Sequence, residues 1–435
     1  MKVRHRLPLA LRLYRLASTV VVPTAAPRWL AWRQKQGKEN AARLAERYGR
    51  ASLSRPDGAL IWVHCASVGE MLAVVPLLES LRARNFAVLL TSGTMTSAAL
   101  AEQRLPEGAL HQFIPLDAPR FIGRFLEHWR PDLALFVESD LWPNLILGCG
   151  DRGIPMILIN GRISERSYGR WRMLPSMIGA LLERFDLCLT QSEADAQRYG
   201  ALGAAHVSNV GNLKLDVPPP PADPPALQNL KSAIGTRIVL AAASTHAGEE
   251  YEIISAHRRL QAKFPSLLTV IVPRHPDRGP SIAEAAKLAG LAVALRSHSG
   301  LPKPDIGIFI FDTMGELGLV YRLAPIVFMG GSLASHGGQN PIEAVRLGAA
   351  VIHGPHVWNF ADIYEKLDAA HGAALVSDEE ALLHCVSQWL ANPSARKAAA
   401  DAAAATVAKL GGALGRTLTA IEPYLMQLQL QQRAS

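Results

Sequence analysis

Cysteine is scarce: Cys65, Cys149, Cys188 and Cys385 are the only four in 435 residues. Their wide separation contains no paired metal-ligand spacing, which excludes a dense disulfide framework and leaves reduced, structural thiols. Long apolar runs are also missing. The most membrane-like stretch, Leu16 to Pro27, has 12 uncharged residues and two prolines, short of the ~20 that a simple span needs. No clean apolar block leads to a small-residue cleavage site, so a cleaved secretory signal is not expected. There is no GxGxxG opening either half of the chain and no GxxxxGKS/T, so an ordinary dinucleotide or P-loop ATP site lacks its chemical signature. Neither Cys65 nor Ser67 sits in a nucleophile elbow, and no ordered triad argues for a hydrolase.

What is present begins with charge. The chain carries 45 Lys and Arg against 37 Asp and Glu, a net +8. Residues 1–50 hold 12 of those cations against only Glu39 and Glu46, so this segment is +10 and the remaining residues together are −2. Its Arg residues alternate with Leu, Tyr and Trp. Apolar and Trp side chains can enter a headgroup boundary while Arg and Lys face anionic lipid, so residues 1–50 read as a membrane-associating segment; a basic helix docked on its own protein is the competing reading. No basic stripe elsewhere supports nucleic-acid binding, and nothing points to an obligate protein partner.

At 49% hydrophobic content, the rest can bury two substantial cores. Short apolar runs recur at Leu60–His64, Ala87–Thr91, Leu133–Glu138, Pro155–Asn160 and Leu187–Thr190, each followed by a polar or glycine-containing loop and a helix-like stretch. "VPPPPADPP", Val217 to Pro225, then places six prolines in nine residues, which suits a stiff linker and neither a central strand nor an ordinary helix. The alternation resumes at Arg237–Ala242, Leu267–Val272, Ile306–Phe311, Ile326–Met329 and Ala349–His353. The expectation is an α/β protein of two domains with parallel sheets: residues 51–216, a linker at 217–226, and residues 227–435.

Ligands of such sheets bind beyond the carboxyl ends of the strands, and the unusual polar residues fall there. Glu70 follows the first strand where a loop becomes a helix; it fits either a favourable first-turn carboxylate or a general base, and the helix terminus is expected to keep it ionised. Ser67 lies at the same turn. Glu138 ends an apolar run, where an unpaired carboxylate would be costly, so it needs a partner, a cap or a cleft. Asp140 can point the same way or cap the next turn. Lys214 is either a solvated lysine or a counter-charge for a phosphate. Arg274, after Pro273, has the planar donor fork for phosphate or carboxylate, with His275 as an additional donor or a cap. Gly315, Glu316 and Leu317 open a helix whose N–H groups suit an anion, whereas Glu316 itself suits a hydroxyl or base.

"GGSLASHGGQNPIEA", residues 330 to 344, has four glycines in nine positions. Gly330 and Gly331 allow a tight strand exit past Ser332, and Gly337 and Gly338 allow close backbone approach or positive φ. Asn340, Pro341, Ile342 and Glu343 form a helix start in which Asn340 caps and Glu343 stands in capping-box position. Exposed backbone donors of the glycine turns could equally cradle a phosphate.

The combined order of "SVGE", "LWPN", "GNLK", "PRHP", "DTMGEL" and "GGSLASHGGQNPIEA" resembles the bacterial 3-deoxy-D-manno-octulosonic acid (Kdo) transferases, the lipid A-specific glycosyltransferases of GT-B type. The resemblance covers nearly the whole chain. It implies two Rossmann-like domains facing each other across a cleft, with lipid acceptor on the N-terminal side, CMP-Kdo mainly on the C-terminal side, and the last helices able to pack back on the N-terminal domain. It implies inverting transfer of Kdo from CMP-Kdo to a hydroxyl of the lipid A precursor, without metal or other cofactor, at the cytoplasmic face of the inner membrane. Glu70 matches the base, Glu138 and Lys214 match transition-state residues, and Pro273, Arg274, Gly315 to Leu317 and Asn340 to Glu343 match the donor site. Where this sequence has Asp140 the family usually shows a glutamate, with longer reach. Another GT-B transferase with a different nucleotide sugar, or a noncatalytic sugar-lipid binding protein, are the alternatives.

Overall fold

Apolar runs without polar alternation are the mark of strands buried on both faces, and here they become two parallel sheets. The structure, a computed structural model, describes residues 7–434. The first sheet contains β1 (Leu60–His64), β2 (Ala87–Ser92), β3 (Leu110–Phe113), β4 (Leu133–Val137), β5 (Met156–Gly161), β6 (Leu187–Thr190) and β7 (Val207–Asn209). The second contains β8 (Val239–Thr245), β9 (Leu268–Pro273), β10 (Val293–Leu295), β11 (Ile308–Ile310), β12 (Ile326–Met329), β13 (Ala350–His353) and β14 (Ala373–Leu375). Their orders are β3-β2-β1-β4-β5-β6-β7 and β10-β11-β9-β8-β12-β13-β14, so each is a doubly wound, Rossmann-like sheet. The fold is the GT-B class expected from the sequence.

Alternate residues along a strand face opposite sides, and each side is covered by helices. In the first sheet Leu60, Trp62 and Phe136 pack into one apolar cluster, while Ile61, Val63 and Leu135 pack into another. Each fully buried Leu or Ile contributes about 2 kcal/mol of transfer free energy, so these faces fix the strand registers. One compact unit runs through Val217 and takes in Leu410 onward; the second is Pro218–Lys409. The return segment joins the first unit's core through Ala413, Ile421, Leu425 and Leu428. Asp216 accepts the N–H groups of Gly412 and Leu414, at 2.7 and 2.6 Å, and so anchors the start of that last helix. After the prolines at 218–221, Asp223 caps a helix at Pro224–Ile234 by accepting the Ala226 N–H.

The basic N-terminal segment is a helix, Leu9–Lys35, from which Leu11, Ala26 and Leu30 are buried in the first unit. Tyr14 donates to Asp117 at 2.8 Å and Asn144 donates to Ser18, also at 2.8 Å, so the helix is pinned by specific bonds. Its Leu9, Leu13, Leu16 and Val20 are 56–67% exposed, and their spacing of four, three and four puts them on one stripe. Among the described residues, no helix is long and apolar enough to cross a membrane. The part of the expected membrane-associating segment before Leu7 lies outside the described residues.

Candidate functional site

In the first sheet the chain winds one way from β1 to β2 and the other way from β1 to β4, so a crevice opens between the ends of β1 and β4. Glu70 follows β1, in the first turn of the helix Val68–Ala83. Ser67 caps that helix by accepting the Glu70 N–H at 3.3 Å. The Glu70 carboxylate in return accepts the Ala66 N–H through Oε2 at 2.7 Å and the Ser67 hydroxyl through Oε1 at 2.8 Å. The side chain is buried, with 8% of the residue exposed. Burial pushes its carboxyl above the usual glutamate range; the Ala66 and Ser67 bonds pull it down, and the nearby negative charges of Glu138 and Asp140 push it further up. Desolvation, with the two neighbouring carboxylates, thus outweighs the Ala66 and Ser67 bonds and leaves Glu70 with a raised proton affinity.

Glu138 directly follows β4 with φ at +59°, a left-handed conformation that costs a non-glycine residue about 1 kcal/mol or more. Its Oε1 accepts from Lys214 Nζ at 2.5 Å and from Gln191 Nε2 at 3.3 Å. Lys214 lies in a single 3-10 turn, Leu213–Leu215, which Asn160 holds by accepting the Leu213 N–H at 2.9 Å. The ends of β4, β5 and β6 thus converge on one ion pair, and the Lys214 ammonium is paired with Glu138.

Asp140 is held differently. Its Oδ2 lies 3.0 Å from His64 Nε2, His64 Nδ1 lies 2.9 Å from Thr91 Oγ1, and Trp62 Nε1 donates to the same Thr91 oxygen at 2.8 Å. Asp140, Ala66 and Trp142 line a cavity of about 500 Å³ whose other wall is Val21, Val22, Ala25 and Trp29 of the N-terminal helix. Cys65 is fully buried, and burial followed by repulsion from Glu70, Glu138 and Asp140 pushes its thiol well up, which argues against a thiolate nucleophile.

The second sheet has its crevice between the ends of β8 and β12. His246 follows β8, and residues 330 to 338 follow β12. Gly330 has no room for a side chain: a Cβ there would lie 2.4 Å from Ser244 O. Glu249, 1% exposed, fills the crevice floor with its carboxylate. Oε1 accepts from the N–H groups of Ser332, Leu333 and Ala334 at 3.0, 3.0 and 3.2 Å, and Oε2 accepts from Gly331 and His246 at 2.8 and 2.9 Å. The Gly338 N–H donates to Gly331 O at 2.8 Å. The reading of the first glycine turn as a phosphate cradle is therefore corrected: an internal carboxylate occupies its donors. Ser332 is likewise engaged, donating to Met329 O and accepting the Gly354 N–H at 2.8 Å.

Side chains remain to meet an anion. His246 stacks on His336 with ring centroids 4.1 Å apart, and His275 stands edge-on to His246 at 6.4 Å. Burial, then the neighbouring His336, holds His246 below the usual histidine range, with His275 and Arg274 lowering it further. Arg274 and His275 are exposed just beyond β9, whose last residue is Pro273. Asn340 accepts the Ile342 N–H at 3.1 Å, with Pro341 at the cap position of the helix Ile342–Arg346. Glu343 is half-buried, and burial raises its carboxyl. Gly315 has φ at +84°, and Glu316 precedes the helix Leu317–Leu323. Arg296 grips Glu316 through two bonds at 3.1 and 2.7 Å, and together with the Thr313 hydroxyl this holds its carboxyl below the usual range.

His64, Thr91, Glu249, His246, His336 and Arg296 carry no sequence signal of their own. A histidine ending an apolar strand and a glutamate opening a helix have ordinary structural explanations, and only the fold shows what each one holds. Among the described residues, no group of three or more His, Cys, Asp or Glu is arranged to hold a metal ion.

Residues 42–217 match the family described as 3-deoxy-D-manno-octulosonic-acid transferase (kdotransferase). The chain is 38% identical over 390 residues to a 3-deoxy-D-manno-octulosonic acid transferase of Bordetella pertussis, a match spanning 87% of this chain and 91% of that protein. It is 35% identical over 395 residues to a probable mitochondrial 3-deoxy-D-manno-octulosonic acid transferase of Arabidopsis thaliana, covering 88% of each. A solved glycosyltransferase from Rickettsia africae shares the fold, with TM-score 0.58 and 13% identity over 85% of this chain and 99% of that one.

Proposed function

The chain belongs to the 3-deoxy-D-manno-octulosonic acid transferases, a family of glycosyltransferases serving lipopolysaccharide and lipid A biosynthesis, and from that premise we propose which residues carry out the transfer. The donor is CMP-Kdo and the acceptor a hydroxyl of the lipid A precursor. Glu70 accepts the proton of that hydroxyl as its oxygen attacks the anomeric carbon of Kdo; CMP departs from the opposite face, so configuration inverts. Attack and departure are concerted, and no covalent enzyme intermediate is needed.

The observation that carries this assignment is the setting of Glu70. Its carboxylate is desolvated, fixed by Ala66 and Ser67, and raised in proton affinity, yet each oxygen retains a lone pair for an incoming O–H. A base must hold its proton during the step and surrender it afterwards, and a glutamate of raised proton affinity suits both. Glu138, paired with Lys214, presents a fixed dipole that orients the acceptor and compensates positive character at the anomeric carbon.

On the second unit, Arg274 with His275 supplies the positive charge for the leaving phosphate, while Pro273, Gly315 to Leu317 and Asn340 to Glu343 bind the nucleotide and sugar. The Arg296 fork makes Glu316 a fixed acceptor for hydroxyl or base N–H donors. Gly337 and Gly338, at φ of +90° and +73°, hold the turn that carries His336 to its position. CMP leaves with a single phosphate, so the chemistry makes little demand for a metal bridging two phosphates.

The N-terminal helix brings the first unit to the bilayer. Its outward stripe of Leu9, Leu13, Leu16 and Val20 suits the acyl boundary, and its basic residues suit the anionic surface of the inner membrane's cytoplasmic face. Titration calorimetry tests the donor class: CMP should bind and UDP should not at matched concentration. Equal or tighter binding of UDP would instead favour a transferase with another nucleotide sugar.

A further inference from the structure

Asp140 is more firmly held than a residue at a loop tip needs to be. β1 and β2 pair so that His64 stands opposite Thr91, and β1 pairs with β4 so that His64 stands opposite Phe136. The imidazole is 1% exposed and flanked by Trp62 and Phe136, with ring centroids 6.4 and 6.1 Å away. The hydrogen-bond inventory leaves one consistent arrangement. Trp62 can only donate, so Thr91 Oγ1 accepts from it; a carboxylate can only accept, so His64 Nε2 carries the hydrogen shared with Asp140. The Thr91 hydroxyl hydrogen then goes to the lone pair of His64 Nδ1. Every polar group is satisfied with His64 neutral and hydrogen on Nε2. A second proton at Nδ1 would turn a donor toward Thr91 and strip its hydroxyl of an acceptor in a fully buried site.

The chain Trp62–Thr91–His64 therefore ends in one N–H aimed at one oxygen of Asp140. The Asp140 side chain is 25% exposed and lines the cavity that also reaches Ala66, the residue whose N–H holds Glu70. We propose that His64 is a positioning residue, locked in the Nε2–H form by Thr91, which anchors Oδ2 of Asp140 so that its other oxygen receives and orients the acceptor hydroxyl for Glu70. This deepens the transferase reading and rests on it. It assigns Asp140 to acceptor binding, and gives His64, Thr91 and Trp62 a purpose beyond packing.

The test combines kinetics with a measurement independent of turnover. Purified full-length protein carrying His64→Phe, Asp140→Asn or both is assayed with CMP-Kdo and the lipid acceptor. Loss of one oriented hydrogen bond should reduce kcat/KM for the acceptor by roughly tenfold or more in each single variant, with KM for CMP-Kdo unchanged. The double variant should be no worse than Asp140→Asn alone, because both changes act through the same carboxylate. His64→Gln, whose amide N–H reaches the Nε2 position, should recover part of the loss. In the wild-type protein, 15N NMR should show His64 neutral with hydrogen on Nε2.

Multiplicative losses in the double variant, an equal loss of donor affinity, or the Nδ1–H form would each overturn the assignment. If His64→Phe does not fold, the Gln variant and the wild-type tautomer still decide. Absence of Kdo transfer by the wild-type protein would refute the transferase reading itself, and the tautomer would remain a separate result.

Discussion

Replacing Glu249 with alanine should unseat the glycine-rich turn of the donor unit. Glu249 receives five backbone N–H groups, of which those of Gly331 and Ser332 belong to buried residues and those of His246, Leu333 and Ala334 to half-buried ones. The half-buried donors can turn to water. The two buried ones would face no acceptor, at about 1–3 kcal/mol each, and relief of the buried carboxylate's desolvation offsets part of that. A net loss of about 3 kcal/mol corresponds, in a unit the size of Pro218–Lys409, to a fall of roughly 6–12 °C in its transition. Differential scanning calorimetry of the full chain, with and without CMP, is the assay. The stabilisation by CMP should shrink as well, because His246 and His336 are carried by the same turn. A transition within about 2 °C of wild type, with CMP stabilisation intact, would refute this account of the turn, since a net loss of about 3 kcal/mol moves it several times further.

The raised carboxyl of Glu70 sets a pH dependence: activity, which needs the ionised base, should fall as pH drops through a value above the ordinary glutamate range, as read from kcat/KM profiles. Stability runs oppositely, because the fold holds this proton more tightly than the unfolded chain does; the contribution is complete below the unfolded value and lost as pH rises through the folded one. Changing Lys214 to methionine leaves Glu138 without its main partner, so kcat should fall about 10²-fold and thermal stability with it; adding Glu138→Gln should recover stability but not activity. Leu13→Asp with Val20→Asp alters only exposed positions, so it should release the protein from anionic vesicles in a sedimentation assay and spare CMP binding.

The ten central strands are legible because burial on both faces demands unbroken apolar runs, such as Leu60 to Val63 and Ile326 to Met329. β3, β7, β10 and β14 are not. They are three or four residues long, flank the sheets, and mix polar or half-exposed positions, as in Val207–Asn209. Pairing with a formed neighbour, and not their own composition, makes them strands. Glu70, Glu138 and Lys214 stand out locally as charges at strand ends, whereas the ion pair between the last two exists only because strand order brings β4, β5 and β6 side by side. Glu249 was hidden for the opposite reason. A glutamate in the first turn of a helix satisfies the helix dipole anywhere, and nothing in "HAGEE" shows that the exit of β12, more than eighty residues away in sequence, depends on it.

The most direct measurement is mass analysis of the lipid formed from CMP-Kdo and the lipid A precursor, comparing wild type with Glu70→Gln. Wild type should add Kdo with matching release of CMP. The variant should bind CMP normally yet transfer roughly 10²–10⁴-fold more slowly, the range that removal of a general base produces. Normal turnover by the variant, or no Kdo added by the wild type, would contradict the account.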